Sequence, residues 1–232
     1  MSKEKRVVAL FKFGKSERIQ RLYNEGELYL NTVYYFKNLE DKNLRGDKDE
    51  SITQNWQSSR TEVVINGRHL KDVVGPIKFY FPQEDRHQFT NIFSMTALCI
   101  GDEVNDDKIF DDRIKGFGDE AIIIFDPKKF FLRLSESAKN LADEGNLQYF
   151  KGNIVKYFDF NTYHGDLDIF GKSQEYSWQK EWRLGVRSLN HLDPFLLKIG
   201  SLKDIAEVVK IEDFFNGKIK ISFAAKSHQN SF

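Results

Sequence analysis

Lys172 to Arg187 reads KSQEYSWQKEWRLGVR, and its second half carries the most information about the fold. From Gln179 onward apolar and polar residues alternate, the period of a half-buried strand. Trp182, Leu184 and Val186 fall on one face. Gln179, Glu181, Arg183 and Arg187 fall on the other, because successive strand side chains point to opposite sides. The apolar face suits packing on a core. The polar face offers a carboxylate, an amide and two guanidinium groups to a cleft or to water. Glu181 is the candidate functional carboxylate; an exposed sheet face carrying a Glu–Arg pair is the alternative.

Working outward, the same periodicity recurs along the chain. Residues 6–13, RVVALFKF, read as a strand, and Ser16 as the N-cap of a helix running to Glu25, stopped by Gly26. Strands follow at 27–32, 77–81, 91–100 and 121–125. Asn66-Gly67 between two strand-like runs signals a hairpin. Asp126-Pro127 opens the clearest helix, with Phe130, Phe131, Leu134, Ala138, Leu141 and Ala142 as its apolar stripe. Residues 147–160 read as a second hairpin around Lys151-Gly152-Asn153. Runs at 194–199, 205–211 and 218–223 are strand or mixed. Residues 37–60 form a long polar loop; Asp41, Asp47, Asp49 and Glu50 with Gly46 faintly suggest a cation loop, and a solvated loop is the favoured reading. Roughly nine or ten strands against two or three helices, without βαβ alternation, give an α+β fold. The expectation is one domain over 1–232, mostly antiparallel, with two packed sheets and flanking helices.

Bulk composition narrows the function classes. The 232 residues carry 35 basic and 35 acidic side chains, a net charge of zero, which argues against broad charge-driven nucleic-acid binding. No run reaches the roughly 18 apolar residues of a membrane helix, and the N-terminus lacks a secretory h-region, so no membrane association and a cytoplasmic location are expected. The single cysteine, Cys99, excludes an internal disulfide and reads as a buried inert thiol. Phosphate-loop, GxSxG, HExxH and CxxC patterns are all missing, and the five histidines have no ligand spacing.

Three pieces remain. Lys12, between Phe11 and Phe13, faces away from its aromatic neighbours. Ser94 and Thr96 share one face of an otherwise apolar strand. Gln179 and Glu181 form the third. The order of a cationic strand, a hydroxyl strand and a Glu strand resembles the ADP-ribosyltransferases. That resemblance implies a split-sheet fold and NAD as substrate. It implies that Lys12 (where Arg or His is usual), Ser94 and Thr96 hold the dinucleotide, while Glu181 and Gln179 are catalytic. Tyr34, Tyr35 or Phe36 would stack on the nicotinamide. LFKFG at 10–14, LYLNT and YYFKN at 28–38, FSMTAL at 93–98, GDEAIIIFD at 118–126 and the closing K…WQKEWRL are similar to a family of uncharacterised bacterial domains. These share a K…E-x-E-W-R signature near toxin and antiviral-defence genes. That likeness implies an effector with a protein or nucleic-acid acceptor and an antitoxin partner. Two other readings stay open: a non-catalytic nucleotide- or partner-binding module, and a metal-dependent nuclease using Asp47, Asp49 and Glu181.

Overall fold

A computed structural model describes residues 6–39, 44, 46–80, 90–101, 110–188, 194–219 and 221. In chain order the elements are β1 (Val7–Gly14), α1 (Ser16–Glu25), β2 (Glu27–Thr32), α2 (Val33–Asn38), β3 (Ile52–Gln57), β4 (Val64–Ile65), β5 (Arg68–His69) and β6 (Pro76–Tyr80). Then come β7 (Asn91–Cys99), β8 (Glu120–Ile124), α3 (Pro127–Asp143), β9 (Leu147–Ile154), β10 (Lys156–Phe158), β11 (Gly165–Asp166) and β12 (Gly171–Ser173). The last are β13 (Glu181–Ser188), β14 (Phe195–Lys198), β15 (Ala206–Lys210) and α4 (Glu212–Phe215). The architecture is mixed α+β with mostly antiparallel sheets and few helices, as expected.

The expected pair of packed sheets takes a different form. The principal strands make a single eight-stranded hydrogen-bonded assembly that forks at β7. One edge of β7 pairs with β13 from Asn91 to Thr96. The other edge is divided: β1 covers Thr96 to Cys99, and β2 covers only Asn91 and Ile92. Phe93 to Met95 therefore face the gap between β1 and β2. Backbone groups at such a gap need partners from elsewhere. Lys12 Nζ supplies one, donating to the Ser94 carbonyl at 2.6 Å.

Alternation along β7 and β13 sorts the interior into layers. Phe93, Met95, Ala97 and Cys99 of β7, with Trp182, Leu184 and Val186 of β13, enter the largest apolar cluster. Phe130 and Leu134 of α3 and Ile19 and Leu22 of α1 close that cluster. Trp182 sits against the rings of Phe130 and Phe131, at 6.1 and 5.2 Å between centroids. The neighbouring strand makes room for the indole: a Cβ on Gly152 would lie 2.6 Å from Trp182 Cζ2. On the opposite face of β7, Ile92 belongs to one small apolar cluster and Leu98 to another. Ser94 and Thr96 lie between them.

Several local expectations are corrected. Ser16 is the first helical residue rather than the N-cap, which is Lys15; the Ser16 hydroxyl instead donates to Asp119. Gly26 does end the helix, in the left-handed conformation at φ 65°. Residues 37–60 are not one long loop, because β3 lies within them and pairs with β6 and β11. Residues 147–160 are not a hairpin: Leu147–Ile154 is one continuous strand against β13, and Lys151-Gly152-Asn153 runs straight through it. The described residues of 218–223 contain no strand; α4 precedes them. The Asn66-Gly67 turn stands, with positive φ at both residues, the requirement of a tight two-residue hairpin. Among the described residues no helix is long and apolar enough to cross a membrane.

Candidate active site

The fork in the sheet opens into a cleft of about 340 Å³, within the size range of small-molecule sites. Lys12, Tyr35, Ser94, Thr96, Gln179 and Glu181 all line it. Of the sequence-derived candidates only Tyr34 lies outside the lining, although it neighbours Tyr35 on α2. Thr32 caps that helix by accepting the Tyr35 N–H, and Tyr35 lines the cleft while 44% exposed.

Glu181 stands at the centre. It is the first residue of β13, opposite Thr96 of β7, and Arg183 is opposite Ser94. The strand reading of Gln179 is corrected: Gln174–Gln179 is a 3-10 turn, and Lys180 adopts the left-handed conformation at φ 45°. That kink breaks the alternation before Glu181. Gln179 nonetheless returns to the cleft, because the turn folds it over Lys172. Lys172 Nζ donates to Gln179 Oε1 at 2.8 Å, and Gln179 Nε2 donates to the Leu44 carbonyl at 2.8 Å.

Glu181 is 5% exposed, and both of its carboxylate oxygens are engaged. Its Oε1 accepts the Ser94 hydroxyl and, at 2.9 Å, Arg183 Nε; its Oε2 accepts Lys172 Nζ at 3.2 Å. The Tyr157 hydroxyl accepts the Glu181 backbone N–H at 2.9 Å. Arg183 extends the network. Its Nη1 meets Glu50 Oε1 and the Ile169 carbonyl, and the guanidinium is 1% exposed. Lys172 also lies 3.9 Å from Glu50. A charge removed from water this completely needs both a counter-ion and saturated hydrogen bonds. Here two acids and two bases supply them.

This pairing sets the protonation states. Burial alone would raise the Glu181 carboxyl, but the charges of Arg183 and Lys172, with hydrogen bonds from Arg183 and Ser94, hold it well below the usual carboxylate range. Burial would likewise depress Arg183, and Glu181 and Glu50 keep it above its ordinary value. Tyr157 is raised by burial and by the Glu181 charge, so its phenol stays protonated. The site thus presents an ionised carboxylate, a hydroxyl and an ammonium in a partly apolar cleft.

The sequence reading gave Lys172 no role, Arg183 only a place beside Glu181 on the polar face, and Glu50 only a place in the faint cation loop. Lys172 opens the decisive stretch, but no spacing rule ties it to Glu181 across a 3-10 turn. Glu50 was expected in solvent. With Asp47 and Asp49 it is buried, and the solvated-loop reading is overturned for all three; Asp41 lies outside the described residues. Asp49 is held by Lys78 at 2.9 Å and by the Tyr80 hydroxyl at 3.0 Å. Among the described residues no three His, Cys, Asp or Glu side chains converge as metal ligands, so the Asp47, Asp49 and Glu181 grouping does not form a metal centre there. Comparison of the chain with protein-family models, with curated proteins and with solved structures returned no match, so the reading of this cleft rests on its own geometry.

Proposed function

We propose that the cleft binds NAD and that Glu181 promotes transfer of the ADP-ribosyl group to an acceptor. The carrying observation is the ionised Glu181 carboxylate, held inside the cleft by Ser94, Arg183 and Lys172. In the proposed reaction the bond between ribose C1′ and the nicotinamide nitrogen breaks, and its electron pair leaves with neutral nicotinamide. The ribose ring gains oxocarbenium character. A fixed carboxylate next to it stabilises that charge without reorganising. An acceptor nucleophile then bonds to C1′ and loses its proton.

Ser94 and Thr96 orient Glu181 and the ribose hydroxyls. Lys12, at the fork, offers a point charge for the diphosphate. Tyr35 at the mouth supplies a face for the flat nicotinamide ring. Gln179 faces the acceptor, a protein side chain or a nucleic-acid base. The setting this suggests is a bacterial toxin or antiviral effector, with an antitoxin as its natural partner.

A second reading, a nucleotide-binding module of the same fold without turnover, is favoured by one specific feature. Both oxygens of Glu181 already accept hydrogen bonds from the protein, which leaves a ribose hydroxyl little of the carboxylate's acceptor capacity. Nicotinamide release by the full chain, supplied with NAD and with protein or nucleic-acid acceptors, separates the two. The transferase reading expects release that Glu181→Gln reduces at least about a hundredfold, as loss of one preorganised electrostatic group does. Calorimetric binding of NAD with no release across the acceptors would establish the module instead.

A further inference from the structure

The segment Gly46–Ser51 carries an ionisable group that the site's chemistry does not use. Asp47 is 1% exposed. Its Oδ1 accepts the Asp49 N–H at 2.9 Å, while Oδ2 is buried with no hydrogen-bond partner. Around it four carboxyl groups, of Asp47, Asp49, Glu50 and Glu181, share three cations, Lys78, Lys172 and Arg183. Lys78 is spent on Asp49, Arg183 on Glu50 and Glu181, and Lys172 on Glu181 with Glu50 more distant. Asp47 is the acid left over, with no cation of the described residues within ion-pair distance. The charged and titratable groups facing it are Asp49 and Glu50 of its own turn, Lys172 of β12, Tyr176 of the 3-10 turn and Tyr80 of β6. Among these described groups only Lys172 is cationic.

We propose that Asp47 is a proton-operated latch. Protonated, it keeps the turn docked, with Glu50 clamped on Arg183; ionised, it places an unmatched buried charge there and releases the turn from the wall of the cleft. Leu44 and Glu50 form part of that wall, so release uncovers the Arg183–Glu181 pair. The direction agrees with the proton affinity of the group: burial, and then the charge of Glu50, push Asp47 up to about 7. The latch concerns access to the cleft and holds whatever ligand the cleft takes.

Hydrogen exchange of the full chain tests it without any ligand. The Glu50 and Ile52 amides, bonded to the Asp47 and Asp49 carbonyls at 3.0 and 3.1 Å, report docking. After correction for intrinsic rates, their protection should fall on the order of a hundredfold between about pH 5 and about pH 8, the change expected when one proton is lost only on opening. In Asp47→Asn it should stay level. Level protection in the wild type, or an equal fall in the variant, overturns the latch. If the variant does not fold, the carboxyl carbon resonance of Asp47 in the wild-type chain decides: a midpoint above about 6 supports the latch, and one below it removes the latch.

Discussion

The two faces of the β7–β13 strand pair bury side chains equally deeply by opposite means. On one face Trp182, Leu184 and Val186 meet Phe93, Met95 and the α3 residues Phe130 and Leu134. Their burial is favourable by itself, roughly 1.5–3 kcal/mol for each large side chain. On the other face Glu181 and Arg183 are as inaccessible, and nothing about their burial is favourable until partners are in place. Leu184 is secured by any well-fitting apolar neighbour. Arg183 needs Glu181, Glu50 and the Ile169 carbonyl together. The apolar face is stable with its immediate neighbours; the other face depends on partners from several distant segments.

Single substitutions sharpen this contrast. Arg183→Met should have the largest effect, about 4 kcal/mol in chemical denaturation, because it leaves two buried carboxylates to share the single ammonium of Lys172. Replacing Arg183, Lys172, Glu181 and Glu50 together by apolar residues of similar volume should lose much less. Equal losses in the single and quadruple variants would break the distinction between the two faces. On the apolar side Leu184→Ala should cost about 3 kcal/mol, the transfer energy plus a cavity. Gly152→Ala should cost about 2 kcal/mol in the same assay, since the new methyl meets the Trp182 ring.

Ser94→Ala should cost about 1.5 kcal/mol, the worth of a hydrogen bond to a charged acceptor. It should also raise the proton affinity of Glu181, visible in its titration.

The smallest effect is a slope in pH, at most about 1.4 kcal/mol per unit for each group. Glu181, held below its unfolded value, contributes stability that is complete above about pH 4.3 and drains away as the pH falls. Asp47 acts in the reverse sense. Its folded form prefers the proton, so its contribution is greatest below about pH 4 and is lost as the pH rises to about 7. Denaturation of Glu181→Gln and Asp47→Asn across pH 3–8 should therefore flatten the acid and the neutral limbs of the profile respectively. The same limb flattened by both would show one shared titration.

Much of the framework was legible because it depends on neighbours in sequence. β2 and α3, the left-handed Gly26 and the Asn66-Gly67 turn follow from local sterics, capping and period-two or period-3.6 patterning. The facing of Ser94 with Thr96, and of Glu181 with Arg183 against Trp182 and Leu184, also follows from the pleat. Errors arose where distant contacts overrode local signals. Lys151-Gly152-Asn153 has turn chemistry, yet the glycine serves the Trp182 ring on the adjoining strand. Asp47, Asp49 and Glu50 have loop composition, yet Lys78 holds Asp49 inside, Lys172 and Arg183 hold Glu50, and Asp47 is buried along with them.

By itself, then, the sequence determined which residues share a face, where most strands and helices begin, and that one acidic residue sits on the polar side of a half-buried strand. Tertiary structure alone decided that this side is buried. It brought Glu50 from one segment and Lys172 from another to within an ion-pair distance of Glu181 and Arg183. Periodicity is a property of the backbone and is written locally. Charge compensation inside a protein depends on which remote groups arrive at the same few ångströms, and no local pattern encodes that.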